Sequence, residues 1–192
     1  MPKTMLAWHW VAADRRLQYG TREVVEVGRT YRASGPLVMC QNGMHASRRP
    51  IDALKYAPGP VICRVRLGGI ILHDPDKSVA TTRTVLWMAD ATAMLHEFAL
   101  VCGHEALGAL AAIGEEPDPS SWAALETKRR WLRGEATNDE LSAAESAAWS
   151  AARSAAESAA ESAAWSAAWS AAESAAWSAH ALLLERLLES LR

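Results

Sequence analysis

Hydrophobic positions change their period once along this chain. From Met5 to Met88 they come in short runs punctuated by glycine, proline and asparagine, the pattern of strands joined by turns. Met5 to Ala12 is the first run, and its alternation puts Trp8 and Trp10 on one face and His9 on the other. Val24, Val25 and Val27 ahead of Gly28 predict a second segment; a Gly35-Pro36 turn leads into Leu37-Val38-Met39-Cys40 and the tight turn Gln41-Asn42-Gly43. Pro50 fits the first position of a short helix, capped by Ser47 and stopped by Pro58-Gly59-Pro60. Val61 to Leu67 alternates as a half-buried strand with Arg64 and Arg66 on its open face. Gly68-Gly69 predicts a bend into Ile70–His73, and Thr81 to Met88 reads as another strand.

Beyond Asp90 the period becomes helical. Asp90 to Leu110 predicts one helix, and Trp122 to Arg133 a second, capped by Ser120 or Ser121 and ended by Gly134. Thr137 with Glu140 three residues on is a capping-box spacing. From Ser142 to Trp177 the chain repeats Ser-Ala-Ala-X nine times, with X reading Glu145, Trp149, Arg153, Glu157, Glu161, Trp165, Trp169, Glu173 and Trp177. Alanine dominance without Gly or Pro predicts one unbroken helix to the C-terminus, a rod of about 80 Å at 1.5 Å per residue. Period four drifts against 3.6, so Trp149, Trp165, Trp169 and Trp177 wind around the rod, suited to filling gaps between close-packed like helices. The leucine-rich end, with Leu183, Leu187 and Leu191, reads as an oligomerisation or docking zipper, the alternative being the hydrophobic lid of an intramolecular bundle. The expected architecture is an α+β head over 1–89, carrying a small mixed or antiparallel sheet with short helices. A helical connector over 90–136 and a long Ala/Ser-rich α-helical stalk over 137–192 complete it, the stalk driving homo-oligomerisation.

Composition narrows the function classes. The chain is 50% hydrophobic and 22% charged, with a net charge of −2. Residues 1–114 hold 13 Lys+Arg against 9 Asp+Glu, a balance of +4, and residues 115–192 hold 7 against 13, a balance of −6. A basic head suits an anionic small molecule. Cys40, Cys63 and Cys102 have neither disulfide-framework nor zinc spacing and read as reduced thiols. No signal-like segment and no apolar run of membrane-spanning length stands out, which points to the cytoplasm. His96-Glu97 and His104-Glu105 are eight apart, unsuited to a single metal, so no metal is expected. No serine-histidine-acid arrangement, phosphate-cradling glycine loop or nucleic-acid module is visible, and no cofactor is implied. Arg48, Arg49, Arg64 and Arg66 form a candidate anion patch.

Gly43-Met44-His45-Ala46-Ser47, the helix Ile51-Asp52-Ala53-Leu54-Lys55-Tyr56 and the strand Val61 to Gly69 resemble an uncharacterised domain common in phage and prophage genomes. Gly28-Arg29-Thr30-Tyr31 and Lys77 to Thr81 extend the resemblance over residues 5 to 90. Members of that family often carry alanine-rich tails, and no activity comes with it. A fainter likeness is to the half of ADP-ribosyltransferases that grips nicotinamide dinucleotide, which would put His9 or His45 at the ribose and Tyr56 beside the nicotinamide. A late catalytic glutamate, usual in those enzymes, has no counterpart here. The leading expectation is a non-enzymatic phage or prophage accessory protein whose head binds a ligand or host factor and whose repeat helix drives self-assembly. The alternative is a nucleotide-handling enzyme with an ADP-ribosyltransferase-like head. His9, His45, Tyr56, Arg48, Arg64 and Arg66 are the candidate ligand-binding residues, and no catalytic residue is assigned.

Overall fold

The structure, a computed structural model, describes residues 4–19, 22–159 and 180–191. It divides into two compact units, one of residues Met1–Thr92 with Ala181–Arg192 and one of Ala93–His180. The first unit is built on β1 (Thr4–Val11), β2 (Thr30–Arg32), β3 (Met44–Ala46), α1 (Pro50–Leu54), β4 (Val61–His73) and β5 (Ser78–Asp90). All pairings are antiparallel, in the order β1-β4-β5-β2, with β3 also on β5. Just past β3, Ser47 exchanges both backbone hydrogen bonds with Trp8, at 2.7 and 3.0 Å. That bridge ties β3 back to β1, so the pairing closes into a ring and leaves β1 no open edge at this point.

Residues directly opposite in a ladder share a face. His9 faces Cys63, Val65 faces Val85, and Leu67 and Tyr31 both face Arg83. One face of the ring therefore holds Ala7, Val11, Cys63, Val65, Leu67 and Val85, all but inaccessible to solvent, together with His9 and Arg83. On the other face Trp8 meets Arg64 and Trp87: the Arg64 guanidinium lies 4.5 Å from the Trp8 ring centroid, and the two indoles stack edge to face at 6.5 Å.

Several local expectations change. Gly68-Gly69 does not end a strand. It forms a bulge, with Gly69 at φ +79°, in a strand that continues to His73. The N-cap of α1 is Arg49, with no side-chain cap, and Ser47 instead lies in the backbone bridge to Trp8. In the second unit α2 (Thr92–Ala112) is followed by α3 (Pro119–Leu132), capped by Asp118 through a 2.8 Å bond from the Ser120 amide, not by Ser120 or Ser121. The capping box of α4 (Asn138–Ala159) is formed: the Glu140 amide donates to Thr137 Oγ1 at 3.2 Å, and the Thr137 amide to Glu140 Oε2 at 2.7 Å.

The long stalk is overturned. α4 is a helix of 22 residues, and the last helix, α5 (residues 180–189), has residues 181–192 in the same compact unit as the sheet. Ala181, Leu184 and Leu188 at i, i+3, i+7 are its buried stripe, the two leucines at 0% exposure. Leu183, Leu187 and Leu191, expected as the zipper, are only half-buried. Trp149 is 70% exposed, while Trp165, Trp169 and Trp177 lie outside the described residues. No helix among the described residues is long and apolar enough to cross a membrane.

Candidate functional site

The first unit contains a cavity of about 710 Å³ beside the C-terminal half of β1, in the range of small-molecule sites. β1 contributes His9 and Trp10, the turn before β3 contributes Cys40, β3 His45, the segment after α1 Tyr56, and β5 and its approach Arg83 and Lys77. The topology explains the convergence. Closing the ring through Trp8 and Ser47 brings residues from β1, β3 and β5 to one place, although they are far apart in sequence.

Arg83 dominates the electrostatics. It is 4% exposed, one Nη donates to the His45 carbonyl at 2.8 Å, and its buried Nε has no acceptor among the described residues. No carboxylate among those residues is within ion-pair distance of it. Burial drives its pKa down to about 10, against weaker opposing contributions from Cys63 and Tyr31, so the guanidinium stays charged at neutral pH. A buried cation without a counter-charge is costly. The indole Nε1 of Trp10, another residue of the cavity wall, is likewise buried without an acceptor.

The two histidines are kept neutral. His9 is held well below 6.5 by burial first, then by the charges of Arg83 and His45. His45 is lowered too, by burial, with Arg83 and Lys77 adding to it and its bond to Gly43 opposing. Its tautomer follows from its partners. The Cys40 amide can only donate, and it reaches His45 Nε2 at 3.0 Å, so Nδ1 carries the hydrogen and donates to the Gly43 carbonyl at 3.1 Å. With both ring nitrogens engaged, His45 acts as a staple of the turn. Gly43 is required there: at φ +135° a Cβ would stand 2.2 Å from Val79 Cγ2.

Tyr56, 49% exposed, forms the rim. Its hydroxyl donates to Asp76 Oδ2 at 2.8 Å and accepts from Lys77 Nζ at 3.1 Å, while the Lys77 ammonium lies 4.6 Å from its ring centroid. The bond to Tyr56, then one to the Cys40 thiol, raises the Lys77 pKa. No Asp or Glu lines the cavity among the described residues.

Of the residues expected from sequence, His9, His45 and Tyr56 meet in this cavity. The arginines do not. Arg48 contacts Met5 Sδ, Arg49 pairs bidentately with the buried Asp52 at 2.7 and 2.9 Å, and Arg64 stacks on Trp8. Arg66 is exposed two residues along β4 from Arg64. Arg83 and Lys77 take the place of that patch, and sequence reasoning missed both. The only available signal for Arg83 was a lone charge inside the strand pattern Thr81 to Met88. Among the described residues, no group of three or more His, Cys, Asp or Glu is placed to hold a metal ion.

Residues 5–97, nearly the whole sheet-bearing part of the first unit, match a family model described as a domain of unknown function (DUF7666). That segment is thus an uncharacterised domain. No curated protein and no solved structure matches the chain.

Proposed function

We propose that the sheet-bearing unit is a non-enzymatic binding module for a small anion, taken up in the cavity walled by His9, Trp10, Arg83 and Lys77. The observation that carries this reading is Arg83, a buried, charged guanidinium whose Nε–H lacks an acceptor. A phosphate or carboxylate is the group that repays its desolvation, through charge-assisted hydrogen bonds. Neutral His9 adds an uncharged polar wall, and Tyr56 and Trp10 add aromatic surface for a ring on the same ligand. In the phage or prophage setting that the resemblance implies, such a module would sense or sequester a host-cell metabolite of this kind. The nucleotide-handling alternative shares the cavity, but the lack of a lining acid among the described residues favours binding over transfer.

The test is thermal unfolding with AMP, adenosine and inorganic phosphate. AMP should stabilise the protein, by on the order of 2–3 kcal/mol at a hundredfold excess over Kd, and adenosine should not. Arg83→Met should abolish the response while staying folded, since an apolar replacement of a buried charge is often near neutral. Equal responses to AMP and adenosine, or a response that survives in Arg83→Met, would refute the reading.

A further inference from the structure

Three thiols occur in the chain, and only one faces this cavity. Cys63 is at 0% exposure, burial raising its pKa to about 11, and Cys102, in the other unit, is raised to about 11 for the same reason. Cys40 is exposed and lines the cavity together with Arg83 and Lys77. Its backbone is held at φ +63°, a conformation uncommon outside glycine and asparagine that persists only where surrounding structure imposes it. The constraints are visible. Val38 and Asn42 exchange two backbone bonds of 2.9 Å around the turn, the Asn42 amide group donates to the carbonyls of Ser34 and Pro36 at 2.8 and 2.7 Å, and the Cys40 amide is fastened to His45. The backbone of Cys40 is thus fixed, and Lys77 and the buried Arg83 guanidinium, whose Nε has no acceptor among the described residues, line the same cavity.

We infer that Cys40 is a site of covalent thiol exchange with an anionic low-molecular-weight disulfide, whose carboxylates the Arg83 and Lys77 cations draw into the cavity. The inference rests on the anion-binding reading and adds a reaction to it. The Cys40 sulfur attacks, as thiolate, one sulfur of the disulfide. A new S–S bond forms, the original one breaks, and the departing thiolate takes the electron pair and then a proton from water. Cys40 is oxidised to the mixed disulfide as half of the reagent is reduced to thiol. Cys63 and Cys102, with raised pKa values, are poorly placed to compete.

Two probes test this on the full chain, with modification at each cysteine followed by mass spectrometry. Iodoacetate carries a carboxylate and iodoacetamide does not. Relative to free cysteine, Cys40 should prefer iodoacetate by at least about tenfold, because a cationic cleft concentrates anions. Lys77→Gln, a half-buried position, should lose most of that preference, and so should Arg83→Met. Glutathione disulfide should add one glutathione, at Cys40. No preference over free cysteine in the wild type, or glutathione added equally to Cys63, would overturn the inference. The two readings fail separately: AMP stabilisation retained by Cys40→Ser alongside absent charge selectivity sinks the exchange chemistry alone, whereas absent AMP stabilisation sinks the binding site itself.

Discussion

His9 and His45 sit at half-buried positions beside a permanent charge, and this sets how the domain responds to acid. Both have folded-state pKa values below the ordinary 6.5, each chiefly through burial. Below pH 6.5 the unfolded chain takes up protons there that the folded chain refuses, so stability is complete above about 6.5 and falls as pH drops from that value toward the folded pKa values. Urea midpoints at pH 7.5, 6.0 and 5.0 should decline steadily, well before the carboxylates titrate, and His9→Gln should flatten most of the decline. A flat midpoint down to pH 5 would show that the imidazoles are not desolvated. Alternation along β1 already separated His9 from Trp8 and Trp10. Arg83 escaped notice because its face depends on the register against Leu67 and Tyr31 and on the bulges flanking it, which no local pattern encodes.

At the scale of elements, legibility followed length. β1 and the first half of β4 carry enough alternation to be read, whereas β2 and β3, three residues each, are too short to show a period. Gly68-Gly69 read as a bend because glycine pairs usually end strands; β4 continues through it by pairing with β5, which resumes at Ile71 opposite Ala80. The repeat misled differently. Its helical propensity is real, but propensity does not say what covers an apolar stripe. In α5, beyond the repeat, the stripe of Ala181, Leu184 and Leu188 is buried, and residues 181–192 belong to the sheet-bearing unit, so α5 stabilises the fold of its own chain. Leu184→Ala should therefore cost about 2–5 kcal/mol in chemical denaturation. Leu182→Ala, at a position 61% exposed, should stay within about 0.5 kcal/mol. Equal effects would mean that residues 181–191 are not packed as described.

For the molecule as a whole, the charge balance of +4 over residues 1–114 suggested an anionic ligand, and the cations that line the cavity are not the ones conspicuous in sequence. Arg48, Arg49, Arg64 and Arg66 are the more conspicuous in sequence, yet Arg49 is satisfied by Asp52 and Arg64 by the Trp8 face. The closed ring of strands selects Arg83 and Lys77 instead and sets them against His9, Trp10 and Cys40. The central claim is that the Arg83 guanidinium receives an anion. Its most direct test is a titration of 15N-arginine-labelled protein with AMP, following the Nε–Hε resonances and assigning Arg83 through Arg83→Lys. The Arg83 signal should shift saturably, with the Arg64 and Arg66 signals nearly unmoved. An Arg83 signal that stays fixed while AMP saturates the protein, or that moves only in step with every exposed arginine, would contradict the account.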